Sequence, residues 1–149
     1  MPRLANDAWE ALLTAHATLM KQFAAEDTWT DVSMREYDVL YTLSKDPEPL
    51  RLSELNRHVL LSQPALSRLV ERLAERGLVE RHADPADGRG VRLSLTAAGR
   101  TRQRAIGRRH ARSVARAMTA GLTRGELAQL ETICQKLAWA NDTSEVPIP

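Results

Sequence analysis

The sequence predicts a mainly α (α+β) fold, with amphipathic helices arranged around one short β-hairpin. Three observations predict it. Apolar residues recur at helical spacing along most of the chain. Two Ser/Thr-x-x-Glu capping boxes, at Ser33–Glu36 and Thr123–Glu126, stand directly before such stretches. Strict alternation occurs once, at Val91-Arg92-Leu93-Ser94-Leu95, just after a Gly-rich turn.

Over 6–26, Trp9, Leu12, Leu13, His16, Leu19, Met20 and Phe23 fall on one helical stripe. The Ser33 capping box opens a second helix with Tyr37, Leu40, Tyr41 and Ser44 inward, and Asp46-Pro47-Glu48-Pro49 ends it. A short helix over 53–59 carries Leu52, Leu55 and Val59, and Leu60-Leu61-Ser62 makes a tight turn. Ser62 is a natural N-cap for the next helix, and Pro64 is tolerated in a first turn, where its missing N–H loses no partner. Leu66, Leu69, Val70 and Leu73 form its buried side. Pro64, Arg68, Glu71 and Glu75 project the other way, flanked by Gln63, Ser67 and Arg72. Gly77 ends the helix as a left-handed C′ residue.

Two short strands follow at 78–82 and 90–95, joined by 84–89. Thr96 caps a long helix reaching about residue 122. Its apolar side holds Ile106, His110, Val114 and Ala117, and its other side Arg100, Arg104, Arg108, Arg109, Arg112 and Arg116. The Thr123 box starts a last helix with Leu127, Leu130, Ile133, Cys134 and Leu137 on one stripe. Residues 141–149, polar and Pro-bearing, read as a flexible tail.

At 149 residues the chain suits a single domain with a real core. No apolar run approaches the ~20 residues of a membrane span, and MPRLANDAWEALL lacks the layout of a secretory signal. A single cysteine, Cys134, excludes an intrachain disulfide and suggests a reducing cytoplasm. His58 and His82 have no Cys or His at metal spacing, so no metal and no cofactor is expected. No nucleophile–base set or phosphate loop argues for an enzyme. His16 and His110, both on apolar stripes, read as interior histidines. Charge is segregated. Residues 51–116 hold fifteen Arg and six acids, a balance of +9, whereas the rest of the chain holds six basic residues and thirteen acids, a balance of −7. The basic half therefore suits a polyanion, and Arg suits forked contacts to phosphates and guanines.

Short helix, tight turn, longer helix, hairpin: this is a winged helix-turn-helix order. A recognition helix buries one side and offers the other to the major groove. Here that leaves Ser62, Gln63, Pro64, Ser67, Arg68 and Arg72 facing bases and phosphates. Arg89, between Gly88 and Gly90, belongs at the hairpin tip, where small neighbours let an Arg enter a minor groove about 6 Å wide. Asp87 is placed to pair with Arg89 and hold it extended.

Leu52-Ser53-Glu54-Leu55, SQPALSRLVERLAERGLVER at 62–81 and DPADGRGVRLSLTAAGR at 84–100 resemble the MarR family of bacterial transcriptional regulators. The wing signature of that family is similar to Asp87, Arg89, Leu95, Thr96 and Gly99. Two departures are Asn56, where the family usually has Ala and where little consequence is expected, and the Gly88-Arg89-Gly90 wing tip, looser than the family's Arg-rich one. The resemblance implies a winged core at 33–98 flanked by dimerisation helices at 4–28 and 99–140 within one domain. It implies a homodimeric repressor on a pseudo-palindromic double-stranded DNA operator, with half-sites about 10 bp apart. Relatives bind small aromatic acids in a crevice, which here implies Trp9, His16, Trp29, Met34, Tyr37 and Asp38, with Arg81 as the cation for a phenolic carboxylate. Thiol-sensing relatives carry their cysteine near the N-terminus, so Cys134 reads as an inert hydrophobe. The alternative is a winged-helix protein-interaction module that reads no DNA, for which Ser67, Arg68, Arg72 and Arg89 are the wrong surface.

Overall fold

A computed structural model of the chain describes residues 1–142. The elements run α1 (Pro2–Ala24), α2 (Met34–Lys45), β1 (Leu50–Arg51), α3 (Leu52–Asn56), α4 (Gln63–Glu75), β2 (Val79–Asp84), β3 (Asp87–Leu95), α5 (Ala97–Gly121) and α6 (Arg124–Ala140). By its packing the chain divides into two compact units, residues 1–111 and residue 112 onward. The expected tail lies, from residue 143 on, outside the described residues.

In the first unit the core gathers Val39, Leu40 and Leu43 of α2, Leu55 of α3, Leu66, Val70 and Leu73 of α4, Leu93 and Leu95 of β3, and Ile106 of α5. Each buried Leu or Val contributes about 1.5–3 kcal/mol relative to exposure. The Ser33 capping box forms in full, Glu36 N–H donating to Ser33 Oγ and Ser33 N–H to Glu36 Oε2. The inward stripe of α2 differs from the expected one. Tyr41 is 42% exposed, stacked on Tyr37 at 5.8 Å under the Lys45 ammonium, while Val39 and Leu43 are buried. The physical reason is that α3, α4 and β3 all pack on the Leu43 side of α2.

The short helix α3 ends at Asn56, three residues before the expected Val59. Asn56 is not idle: its Nδ2 donates to Leu61 O at 2.8 Å and closes the turn into α4. Gly77 takes φ 68° and completes a Schellman motif, Leu78 N–H to Leu73 O and Gly77 N–H to Ala74 O.

The sheet has order β1-β3-β2, all antiparallel. Strand β1, only two residues and following Pro49, gave no sequence signal; it pairs with Arg92 and Leu93. The hairpin is longer than expected, turning at Pro85-Ala86 rather than over 84–89. Ala83 faces Val91 but Asp84 faces Asp87, so Gly88-Arg89-Gly90 is expelled from the ladder as a bulge. At the far end of β3, Thr96 Oγ1 donates to Gly77 O and accepts from Gly99 N–H at 2.9 Å, capping α5. Gly99 is obligatory for packing. A Cβ there would stand 1.9 Å from Leu78 O.

Apolar stripes remain uncovered. On α1, Trp9 and Leu13 are at least half exposed; in the second unit, Ile133, Leu137 and Trp139 of α6 are too, and Cys134 is exposed.

Candidate nucleic-acid interface

Helix α4 is set by its two faces. Leu66, Leu69, Val70 and Leu73 are buried, so Gln63, Pro64, Arg68 and Arg72 stand exposed and Ser67 half-buried on the opposite side. Ser62 caps it as expected, accepting from Ala65 N–H. Among the described residues no carboxylate lies within ion-pair distance of Arg68 or Arg72; Glu71 is taken instead by Arg81, at 3.9 Å. No internal carboxylate among these residues competes with a polyanion for either guanidinium.

The wing is built differently. Arg89 sits on the bulge, three residues past the turn, not at the tip of the hairpin. Asp87 does not pair with the Arg89 guanidinium. Its Oδ1 accepts from the Arg89 backbone N–H at 3.0 Å, an Asx-type contact that fixes the chain and leaves the side chain free. Beneath the bulge lies Asp84, whose side chain is 1% exposed. It receives Arg51 Nε at 2.6 Å, the Ala86 N–H at 3.0 Å and faces Arg92 Nε at 3.2 Å. The Arg51 hydrogen bond, the Ala86 amide and Arg92 together hold its carboxyl down at about 2. A Cβ on Gly90 would meet Asp84 Cβ at 3.0 Å, so the bulge folds closely over this carboxylate.

A cleft of about 640 Å³ opens between α1, α2 and the α3–α4 connection, lined by His16, Met20, Lys21, Met34, Arg35, Asp38, His58 and Leu61 among others. Three of the seven expected ligand residues line it: His16, Met34 and Asp38. Four do not. Trp9 is exposed on α1, outside the cleft. Trp29 donates its indole N–H to Phe23 O and packs on Tyr37 and His110, so both Trp29 and Tyr37 serve the interior. Arg81 is on β2 beside Glu71. The cations at the cleft are Lys21 and Arg35. Burial pushes the Asp38 carboxyl up, against the pull of His110. His110 is interior as expected, edge-on to Phe23, with Nδ1 3.7 Å from Glu26 Oε2. His16 is exposed at the cleft, contrary to expectation.

The described family model that matches this chain is the MarR family, over residues 30–90. A MarR family transcriptional regulator from Streptomyces coelicolor, solved in complex with DNA, is 26% identical, with TM-score 0.79, covering 97% of this chain and 91% of that one. AbsC, a MarR family transcriptional regulator from the same organism, is 26% identical with TM-score 0.77, covering 91% of this chain and 92% of its own. The PcaV transcriptional regulator of S. coelicolor, in complex with its natural ligand, is 29% identical with TM-score 0.66, covering 91% and 92%. Residues 30–90 thus match the MarR family model, and the chain is similar in fold, along nearly its whole length, to MarR family transcriptional regulators. MarR proteins are transcriptional regulators of winged-helix fold, not enzymes.

Within this chain the residues of the wing signature have separate physical jobs. Asp87 sets the backbone at Arg89, Leu95 anchors β3 in the core, and Thr96 with Gly99 joins α5 to β2. Sequence reasoning passed over Asp84 and its partner Arg51, 33 residues away, because no local pattern links them. It also passed over Lys21, Arg35 and His58.

Proposed function

We propose that this chain works as a homodimeric repressor that clamps a pseudo-palindromic operator in double-stranded DNA. The winged core 33–98 reads the duplex, and helices within 4–28 and 99–140 make the dimer. One observation carries the DNA reading: among the described residues Arg68 and Arg72 stand unpaired on the outer side of α4, while Arg89 is expelled from the wing ladder. Ser62, Gln63, Pro64 and Ser67 complete the major-groove surface, and Arg89, positioned through Asp87, enters the minor groove. The relative solved with DNA supports the same mode. Dimerisation accounts for the uncovered stripes of α1 and α6, each wider than its own unit buries.

A small aromatic acid releases the operator by favouring a dimer geometry with wrongly spaced recognition helices. Its ring lies between Met20 and Met34, whose thioethers suit an aromatic face, and its carboxylate meets Lys21 or Arg35. The relative in complex with its natural ligand supports ligand control.

The test is a salt titration of binding to the DNA beside the gene, together with sedimentation of the free protein. A dimer is expected, with a steep salt slope, and the double variant Arg68→Ala/Arg89→Ala should lose promoter affinity at least tenfold, about 1.4 kcal/mol. A monomer at micromolar concentration, or an unaffected double variant, overturns the reading. Salt-insensitive or absent binding leaves the protein-interaction module.

A further inference from the structure

We propose that α5 carries a second DNA-backbone site, a ridge of Arg100, Arg104 and Arg108 that engages phosphates of the duplex flanking the operator. The proposal rests on the DNA reading above and deepens it.

Helix α5 contains seven Arg and neither Asp nor Glu. Arg102 is neutralised by Asp31 at 2.7 Å. Arg100, Arg104 and Arg108 are exposed, and among the described residues no carboxylate comes within ion-pair distance of them. Like charges four apart on a helix are neighbours and repel, so three in a row raise a concentrated positive potential along one line. A structural surface would intersperse acids, as α1 and α6 do.

Spacing and place favour DNA as the occupant. Four residues of helix rise about 6 Å, close to the roughly 6.8 Å axial advance of every second phosphate on one strand. Guanidinium forks match phosphate oxygens. The ridge starts at the residue after Gly99, which is pressed onto Leu78 at the root of wing strand β2. It thus begins at the root of the wing. In sequence the same interval carries on to Arg112 and Arg116.

The experiment uses the full chain and two duplexes: the operator trimmed to its protected length, and the same operator with 20 bp of mixed sequence added to each side. For the triple variant Arg100→Gln/Arg104→Gln/Arg108→Gln, the salt slope on the extended duplex should fall by about 2.7, since each phosphate contact contributes about 0.9. The slope on the trimmed duplex should keep its value. The triple Lys variant, keeping the charge, should restore the long-duplex slope. If the wild type has equal slopes on both duplexes, or the Gln variant equals the wild type on the long one, the ridge does not bind DNA. A Gln variant that sediments as a monomer shows instead a contact between subunits and also overturns the proposal. Should the Gln variant fail to fold, equal wild-type slopes on the two duplexes remain decisive. Loss of all binding in Arg68→Ala/Arg89→Ala alongside an unaffected Gln variant leaves the primary reading standing and removes only this one.

Discussion

Helix α4 and the wing both carry exposed cations, yet they are held by opposite physics. Helix α4 is fixed by apolar weight: four of its side chains are buried in the core, and its outer face is left over. The wing tip buries almost nothing apolar, since Val91 is 45% exposed and Arg89 fully outside the ladder. What holds it is one buried carboxylate, Asp84, with Arg51, Arg92 and the Ala86 amide around it. A surface made by packing comes with the fold. One made by ionic contacts can be loosened while the fold remains, because charge contacts are local and core burial is cooperative.

Three measurements sharpen that contrast, in falling order of expected effect on stability. Leu66→Ala should lower the unfolding free energy by about 2–5 kcal/mol, because it opens a cavity in a fully buried site. Urea denaturation reads it, and a loss under 1 kcal/mol would show that α4 is not anchored by packing. Gly99→Ala forces a Cβ against Leu78 O and should cost roughly 1–3 kcal/mol. Its structure should show the N-terminus of α5 displaced from β2; an unmoved helix with unchanged stability contradicts the close approach.

Asp84→Asn should alter global stability least and wing order most. Trypsin should cut after Arg89 several-fold faster and the Ala86 amide should exchange faster, with little change in the denaturation midpoint. The pH dependence has a definite sign. The carboxyl of Asp84 sits at about 2 in the folded chain, below the roughly 3.9 of an unfolded Asp. Its contribution is therefore complete above about 4 and disappears as pH falls through 2. Amide protection at the wing that is flat from pH 5 to 2, or unaltered in the variant, would sink the ionic account.

The parts legible from sequence were those decided within a few residues. Both capping boxes form, Gly77 is left-handed, and Thr96 caps α5, because each depends on side chains reaching their own backbone. The buried stripe of α4 was legible since its flanks are unambiguously polar. Where two apolar faces competed, as on α2, periodicity alone chose Tyr41 over Leu43, and only the position of neighbouring elements settles such a choice. Trp29 and Tyr37 look alike whether they line a cleft or fill an interior; a hydrogen bond from the Trp29 indole to Phe23 O decides for the interior. The bulge at Arg89 depends on strand register, which rests on Asp84 contacts across the sheet.

The meeting of Gly99 with Leu78 has one more implication. With no side chain between them and Thr96 bonded to both neighbours, the start of α5 and the root of the hairpin share a hinge with no slack. Any twist or tilt imposed on the first turns of that helix must therefore arrive at the root of the hairpin as displacement. Moving the hairpin root then requires no loosened joint, only a change in where a stiff lever points.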